Sequence, residues 1–236
     1  MSASYDITKR LLDLAAAGVL IVLLGPGMLL IYVLVRLTSR GPGVFVQDRI
    51  GKDGQSFRLP KFRTMRAEHV HDPDPSIVIA ADHSAVTPLG RLLRQLKLDE
   101  LPQLFSVLVG RMSLVGPRPT VPEQVAEYDD FKRQRLTVPP GITGLAQVNG
   151  GTGLSWDERI EWDVYYVRHR SLRLDLKILL LTAVVTLIGT ERRVRRLGEV
   201  HPDEAQAMAG EREGTGDPGG ARERTTPNPD RSGRPE

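Results

Sequence analysis

Between Leu14 and Val35 the chain runs for 22 residues without a charge, LAAAGVLIVLLGPGMLLIYVLV, the length a helix needs to cross the hydrocarbon core of a bilayer. Gly25, Pro26 and Gly27 fall near the middle of that run. Proline removes a backbone donor and crowds the preceding turn, so a sharp bend is expected at this point. The arms on either side, 11 and 8 residues long, would each reach roughly 12 to 17 Å, about half of the ~30 Å core. Lys9 and Arg10 precede the run and Arg36 and Arg40 follow it. With basic residues at both ends, the positive-inside bias does not put the ends on opposite sides. A re-entrant helix broken at Gly25 and Pro26 satisfies both observations, and a kinked single-pass helix satisfies the length alone. A cleaved signal peptide fits poorly, because the apolar run is too long and no small-residue cleavage site precedes Arg36.

The remainder is long enough for one substantial domain: the chain has 236 residues, 40% of them hydrophobic. The net charge is +3, with acidic residues concentrated late and the first 200 residues or so largely basic. That distribution suits anionic lipid headgroups or phosphorylated substrates. No recognised nucleic-acid fold signature is present. The absence of cysteine excludes disulfides, thiolate metal sites and cysteine nucleophiles.

Glycine-rich turns at Gly41 to Gly43 and at Asp53 and Gly54 flank short runs, Val44 to Gln47 and Ser56 to Leu59, a pattern that predicts a small hairpin. His69, His71 and His83 lie among Asp and Pro with irregular spacing, which fits an exposed loop better than a helical metal box. Thr87 and Pro88 start a helix as N-cap and first helical residue, with Leu89, Leu92, Leu93 and Leu96 along one face. Pro102 opens another, so Asp99 and Glu100 are placed just ahead of it. The loops Val115 to Pro119 and Pro139 to Gly150 are too rich in Gly and Pro for regular structure, and such loops can bring backbone donors close to a ligand. Trp156, Trp162, Tyr165 and Tyr166 suit a helix with an aromatic core face.

Leu172 to Ile188 is apolar, but Arg173, Asp175 and Lys177 leave only 12 uncharged residues, Ile178 to Gly189, too few to span. A surface-lying amphipathic helix is expected, followed by Arg192, Arg193, Arg195 and Arg196 facing anionic lipid. After Val200 no Val, Ile, Leu or aromatic residue remains, so the tail is expected to be disordered. The predicted fold is α/β and predominantly helical. Its parts are a re-entrant segment over 1–38, a main domain over 39–198 with a small β-hairpin and membrane-interfacial helices, and a disordered tail over 199–236.

Chemistry concentrates in RQLKLDELPQLFSVLVGRMSLVGPRP, Arg94 to Pro119. Here Asp99 and Glu100 lie between Arg91, Arg94, Lys97, Arg111 and Arg118. Adjacent carboxylates can hold a divalent metal or attack phosphorus, and arginines match phosphate oxygens with paired hydrogen bonds. The same two carboxylates could instead simply cap the following helix.

The segments KR..D before the apolar run, SRGPGVFVQDRIGKDGQSF, KFRTM, TPLGRLLR, LDELPQL, MSLVGPRP, PGITGLAQVNG, DVYYV and SLRLDLKIL follow one another in this order. Together they resemble the bacterial sugar transferases, the monotopic phosphoglycosyl transferases that start glycoconjugate assembly on a polyprenyl phosphate. The resemblance implies a re-entrant membrane helix broken at Pro26 and a catalytic domain on the cytoplasmic face of the cell membrane. It implies that Asp99 is the nucleophile that attacks the β-phosphorus of a nucleotide diphosphate sugar, such as a UDP-hexose, giving a covalent phosphosugar that polyprenyl phosphate then takes up. Asp99 and Glu100 would hold Mg2+, and Arg94 and Arg118 would orient phosphates. Lys61, Arg63, Gln147 and Asn149 would join them in binding substrate. The product would initiate exopolysaccharide, O-antigen or another glycoconjugate, while the sugar and the oligomeric state stay open. The family's pattern usually has a basic residue before PGITG and an arginine after QVNG, where this chain has Pro139 and Gly151. Arg135 and Arg159 are the candidates to substitute. A membrane-bound scaffold or regulator with weak or no activity is the alternative that this departure raises.

Overall fold

The protein is described by a computed structural model over residues 3–66, 83–188 and 194–214. His69, His71, Arg192, Arg193 and the tail after Gly214 lie outside the described residues. The chain begins with α1 (Ala3–Thr38) and continues into an antiparallel hairpin, β1 (Val44–Ile50) and β2 (Ser56–Phe62). Then come α2 (Pro88–Gln95), a 3-10 turn at Leu98–Glu100, α3 (Gln103–Leu108) and β3 (Ser113–Val115). Two short helices, α4 (Pro122–Ala126) and α5 (Asp130–Arg133), lead to β4 (Gly141–Thr143) and α6 (Leu145–Val148). The chain closes with α7 (Trp156–His169), α8 (Leu172–Ile188), α9 (Leu197–Val200) and α10 (Pro202–Gly214).

The backbone of α1 stays helical through Gly25, Pro26 and Gly27, where the sequence predicts two separate arms. Pro26 removes a single hydrogen bond from a long ladder, and α1 is supported on both sides of it. Asp13, Ala17, Met28 and Val35 form one buried stripe at helical spacing. Ala17, with Leu20 and Ile21, packs on Leu104, Val107 and Met112. Met28 and Val35, with Ile31, pack on Phe62 and Leu93. The outer face, including Val22, Leu23, Leu29, Leu30 and Leu37, is exposed and apolar.

Lys9 and Arg10 are more than flanking charges. The Arg10 guanidinium donates to the carbonyls of Val107 (2.6 Å) and Leu108 (2.9 Å), acceptors that the end of α3 leaves without an intrahelical partner. Buried Asp13 accepts from Ser113 Oγ (2.7 Å) and Leu114 N (3.2 Å), tying α1 to β3. Lys9 pairs with Asp175 of α8 at 3.0 Å, and Asp175 also accepts from Tyr5 (2.9 Å) and Tyr166 (2.8 Å). These contacts revise the expected character of α8. Its charged residue Asp175 is buried with Ile178 and Val185, while Leu176, Leu179, Leu180 and Val184 are exposed. An outward apolar face, rather than a polar one, suits a helix lying against lipid.

The hairpin pairs Val44 with Phe62 through Ile50 with Ser56. Its turn places Asp53 (φ 55°) and Gly54 (φ 75°) in the left-handed region that such turns favour. Ile50 N donates to Thr120 O at 2.8 Å, linking the hairpin to the loop that carries Arg118. Thr87 caps α2 as expected, its hydroxyl accepting from Gly90 N at 2.9 Å.

The Gly- and Pro-rich loops hold more regular structure than their composition predicts, because β3 and β4 form a parallel pair, Ser113 with Gly141 and Val115 with Thr143. Glycine permits this by letting backbone touch backbone. A Cβ added at Gly141 would lie 2.1 Å from Gly116 N, and one at Gly144 would lie 2.2 Å from Gly116 O. Gly141→Ala should therefore destabilise the fold by about 3 kcal/mol, at the upper end of overpacking costs because the obstacle is backbone. Thermal unfolding of the detergent-purified variant checks this, and an unchanged melting temperature would show that the loops can separate.

The largest core joins α5, α6, α7 and α8 around Phe131, Val148, Trp162, Tyr166 and Ile178, as the aromatic spacing suggests. α7 begins with a capping box between Ser155 and Glu158. Residues 202–214, read from sequence as disordered, form α10 packed against this core. Met208 is buried there, Arg212 lies over the Phe131 ring at 4.5 Å, and Glu211 accepts from Arg168 Nη1 at 3.1 Å.

Candidate active site

Lys97, in the left-handed conformation (φ 57°), turns the chain sharply after α2, and the 3-10 turn that follows buries Asp99 and Glu100. Asp99 and Glu100 are each only 9% exposed. The helix-capping alternative fails on geometry. The N-cap of α3 is Pro102, and no side chain caps it.

The two carboxylates have different surroundings. Glu100 accepts both arms of Arg118, Nη1 on Oε2 at 3.3 Å and Nη2 on Oε1, and Lys61 Nζ lies 3.6 Å from Oε1. Burial opposes its ionisation, but the Arg118 and Lys61 charges prevail and hold Glu100 well below the usual carboxylate range. Asp99 moves the other way. Burial and the neighbouring Glu100 charge raise it, against the pull of Lys61, Arg94 and Arg118. Adjacent carboxyls with pKa values pushed apart are the arrangement that gives two acids different roles. Lys61 itself is brought down to about 8 by burial, although Glu100 partly restores it.

Of the residues singled out in the sequence, the structure brings Asp99, Glu100, Lys61, Arg94 and Arg118 together. Arg94 donates from Nε to Thr64 Oγ1 at 2.9 Å, with its charge acting on Asp99. Arg63 instead reaches the end of α1, where Nη2 donates to Ser39 O and Oγ, both at 2.7 Å. Gln147 donates to Ile142 O at 2.9 Å and Asn149 to Leu145 O at 3.0 Å, so both support the loop backbone.

Arg135 does not stand in as a phosphate ligand. Buried like its partner Asp163, it donates to that carboxylate from Nε at 3.0 Å and from Nη2, to Tyr128 Oη at 2.5 Å and to the Arg118 carbonyl at 2.9 Å. It holds the loop from which Arg118 projects. Arg159 is half-buried and donates to Leu154 O (3.0 Å) and Thr152 O (3.2 Å). Burial and then the charge of Arg118 disfavour its protonated form, which places its field at the site.

Arg49 is the residue that the sequence reading misses. Its Nη2 donates to Gln47 Oε1 at 2.6 Å, its Nε is buried without a hydrogen-bond partner among the described residues, and it interacts electrostatically with Arg118 and Glu100. Burial and Arg118 bring it down to about 10. The signal was the hairpin register. Phe45 opposes Lys61 and Arg49 opposes Phe57, and two-residue alternation puts Arg49 on the same face as Lys61.

No cluster of three or more His, Cys, Asp or Glu suited to a metal is found among the described residues. Two adjacent carboxylates fit Mg2+ in the mode where substrate phosphates and water complete its shell, with Arg118 sharing Glu100.

Residues 4–189 match the family model described as "Bacterial sugar transferase". The chain is 44% identical over 183 residues to the "Uncharacterized sugar transferase EpsL" of Bacillus subtilis, covering 78% of this chain and 89% of that one. It is 41% identical over 184 residues to the UDP-glucose:undecaprenyl-phosphate glucose-1-phosphate transferase of Klebsiella pneumoniae, covering 75% of this chain and 39% of the relative. It is 40% identical over 204 residues to the UDP-N-acetylgalactosamine-undecaprenyl-phosphate N-acetylgalactosaminephosphotransferase of Aeromonas hydrophila, covering 80% and 45%. The chain thus spans most of the Bacillus relative and less than half of the other two.

Proposed function

The chain belongs to the bacterial sugar transferase family, and from that premise we propose that it moves a sugar-1-phosphate from a UDP-hexose to a polyprenyl phosphate at the cytoplasmic face of the cell membrane, starting a surface polysaccharide or related glycoconjugate. The observation that carries this reading is the split acidic pair. Glu100 is neutralised by Arg118 and Lys61, while its neighbour Asp99 is held as the more basic carboxylate, and a more basic carboxylate is the better nucleophile.

In the first step an Asp99 oxygen attacks the β-phosphorus, and the bond from that phosphorus to the bridging oxygen breaks. UMP leaves with the bridging oxygen and its electron pair, and the sugar phosphate remains on Asp99 as an acyl phosphate. In the second step a phosphate oxygen of the carrier lipid attacks the same phosphorus and Asp99 departs as a carboxylate. Arg49, Lys61, Arg94, Arg118 and Arg159 act on the carboxylate pair or on Arg118. That excess of positive charge suits a diphosphate and the charge that builds up in phosphoryl transfer. Asp99 and Glu100 would hold Mg2+, which when bound neutralises diphosphate charge. The membrane attachment is α1, whose apolar outer face enters the bilayer.

The test is release of UMP by the detergent-purified chain with Mg2+, undecaprenyl phosphate and a panel of UDP-sugars. One productive donor establishes the activity and names the sugar. Binding of UDP-sugars without release across the panel would leave a scaffold. The pH profile should be a bell. Asp99 must be ionised, so the rate rises as pH climbs through a value above that of an ordinary aspartate. Lys61 must be charged, so the rate falls as pH passes through about 8. Lys61→Gln should lower the rate and flatten the alkaline limb, and an unchanged limb would remove Lys61 from the assignment.

A further inference from the structure

On the other side of β2, where α1 ends and α2 begins, lies a cavity of about 420 Å³. Ser39, Arg40, Arg66, Thr87 and Leu89 contribute to its lining, which includes no acidic residue among the described residues. Ser39 is also the residue gripped by Arg63. Arg63 is 4% exposed, and its Nε and Nη1 are buried with no hydrogen-bond partner among the described residues. Burial and the nearby Arg36 charge disfavour its protonated form. Four arginines, Arg36, Arg40, Arg63 and Arg66, thus gather around one helix end. A buried guanidinium with unmatched donors beside like charge is stabilised by an anion, and phosphate oxygens match paired guanidinium donors.

What kind of phosphate is decided by the walls. Leu89 lines the cavity, and Leu37, 78% exposed, stands two residues before Ser39 on the apolar outer face of α1. Free phosphate would use the arginines and leave this apolar rim in water, whereas a headgroup with acyl chains covers both. We propose that the cavity binds the phosphate headgroup of an anionic membrane phospholipid, with Arg40 and Arg66 on the phosphate and Leu37 against the start of the acyl chains. This site is separate from the acidic pair and does not depend on the transfer reaction.

The experiment is thermal unfolding of the full chain in neutral detergent, titrated with dihexanoyl phosphatidylglycerol, dihexanoyl phosphatidylcholine or inorganic phosphate at constant ionic strength. Phosphatidylglycerol should raise the melting temperature saturably, as a ligand of the folded state does, while phosphatidylcholine should leave it unchanged. The exposed pair Arg40→Gln/Arg66→Gln should abolish the shift and keep basal UMP release. An equal shift with phosphatidylcholine, or a shift that persists in the double variant, overturns the site. An equal shift with inorganic phosphate overturns the lipid as its occupant.

Discussion

Asp99→Asn should abolish UMP release, with a loss on the order of 10⁴-fold or more, as when the nucleophile of a covalent mechanism is removed. The amide fills the same space, so the fold should survive and melting should confirm it. The amide also loses the charge and turns one acceptor oxygen into a donor, and the lost charge bears on the neighbour. Removing the Asp99 charge lifts one of the influences that raise a carboxyl beside it, so Glu100 stays ionised between Arg118 and Lys61. Glu100→Gln is the informative companion. It should lower the rate less than Asp99→Asn, because it loosens Arg118 and the proposed metal site without removing the group that bonds to phosphorus. Chemical trapping separates the roles further. Incubation with a donor labelled in the sugar phosphate, without carrier lipid, should label the native chain and Glu100→Gln but leave Asp99→Asn unlabelled. Label on Asp99→Asn would transfer the nucleophile's role elsewhere.

The second large effect lies away from the reacting atoms. Asp163→Ala should destabilise the chain by about 3 to 5 kcal/mol, because it leaves the buried Arg135 charge uncompensated. Both side chains of the pair are 2% exposed, so water cannot take the lost partner's place. The consequence reaches the site through one hydrogen bond, from Arg135 Nη2 to the carbonyl of Arg118. Arg135→Met/Asp163→Leu tests that link, since an apolar pair of similar volume can restore stability while the Arg118 carbonyl still lacks its donor. The double variant should melt near the native temperature yet show a raised KM for the UDP-sugar, because Arg118 is no longer held in place to receive phosphate. A recovered melting temperature with native kinetics would make the pair a stability device only.

What the sequence disclosed depended on the distance between partners. The apolar run within α1, the hairpin around Asp53 and Gly54, and the Thr87 cap were legible because each rests on residues a few positions apart. The setting of Asp99 and Glu100 was legible in outline, since Arg94 is close in sequence and the family motifs carry Arg118. Contacts spanning a hundred residues or more left no local trace. Nothing near Lys9 or Asp13 announces Asp175 or Ser113, which lie 3.0 and 2.7 Å away in the fold. Arg63 sits two residues from Lys61 in KFRTM, yet its partner Ser39 is 24 positions back. α10 was hidden differently. Its buried contact is Met208, helped by Ala205 and by the ring of Phe131 under Arg212, and a count of branched and aromatic residues passes over all three.

Leu101, the residue after Glu100, packs against both clusters through which α1 is attached, one on each side of Pro26. The proposed reaction centre is therefore one peptide unit from the seam between the catalytic body and its apolar helix. A sugar donor dissolved in water explores a volume, while a carrier lipid explores only an area, and its phosphate keeps to a narrow depth at the edge of the bilayer. With the site built onto the seam, the enzyme need not lift the carrier from its plane, and encounter between the two substrates depends on lateral diffusion and on how much carrier occupies the surface.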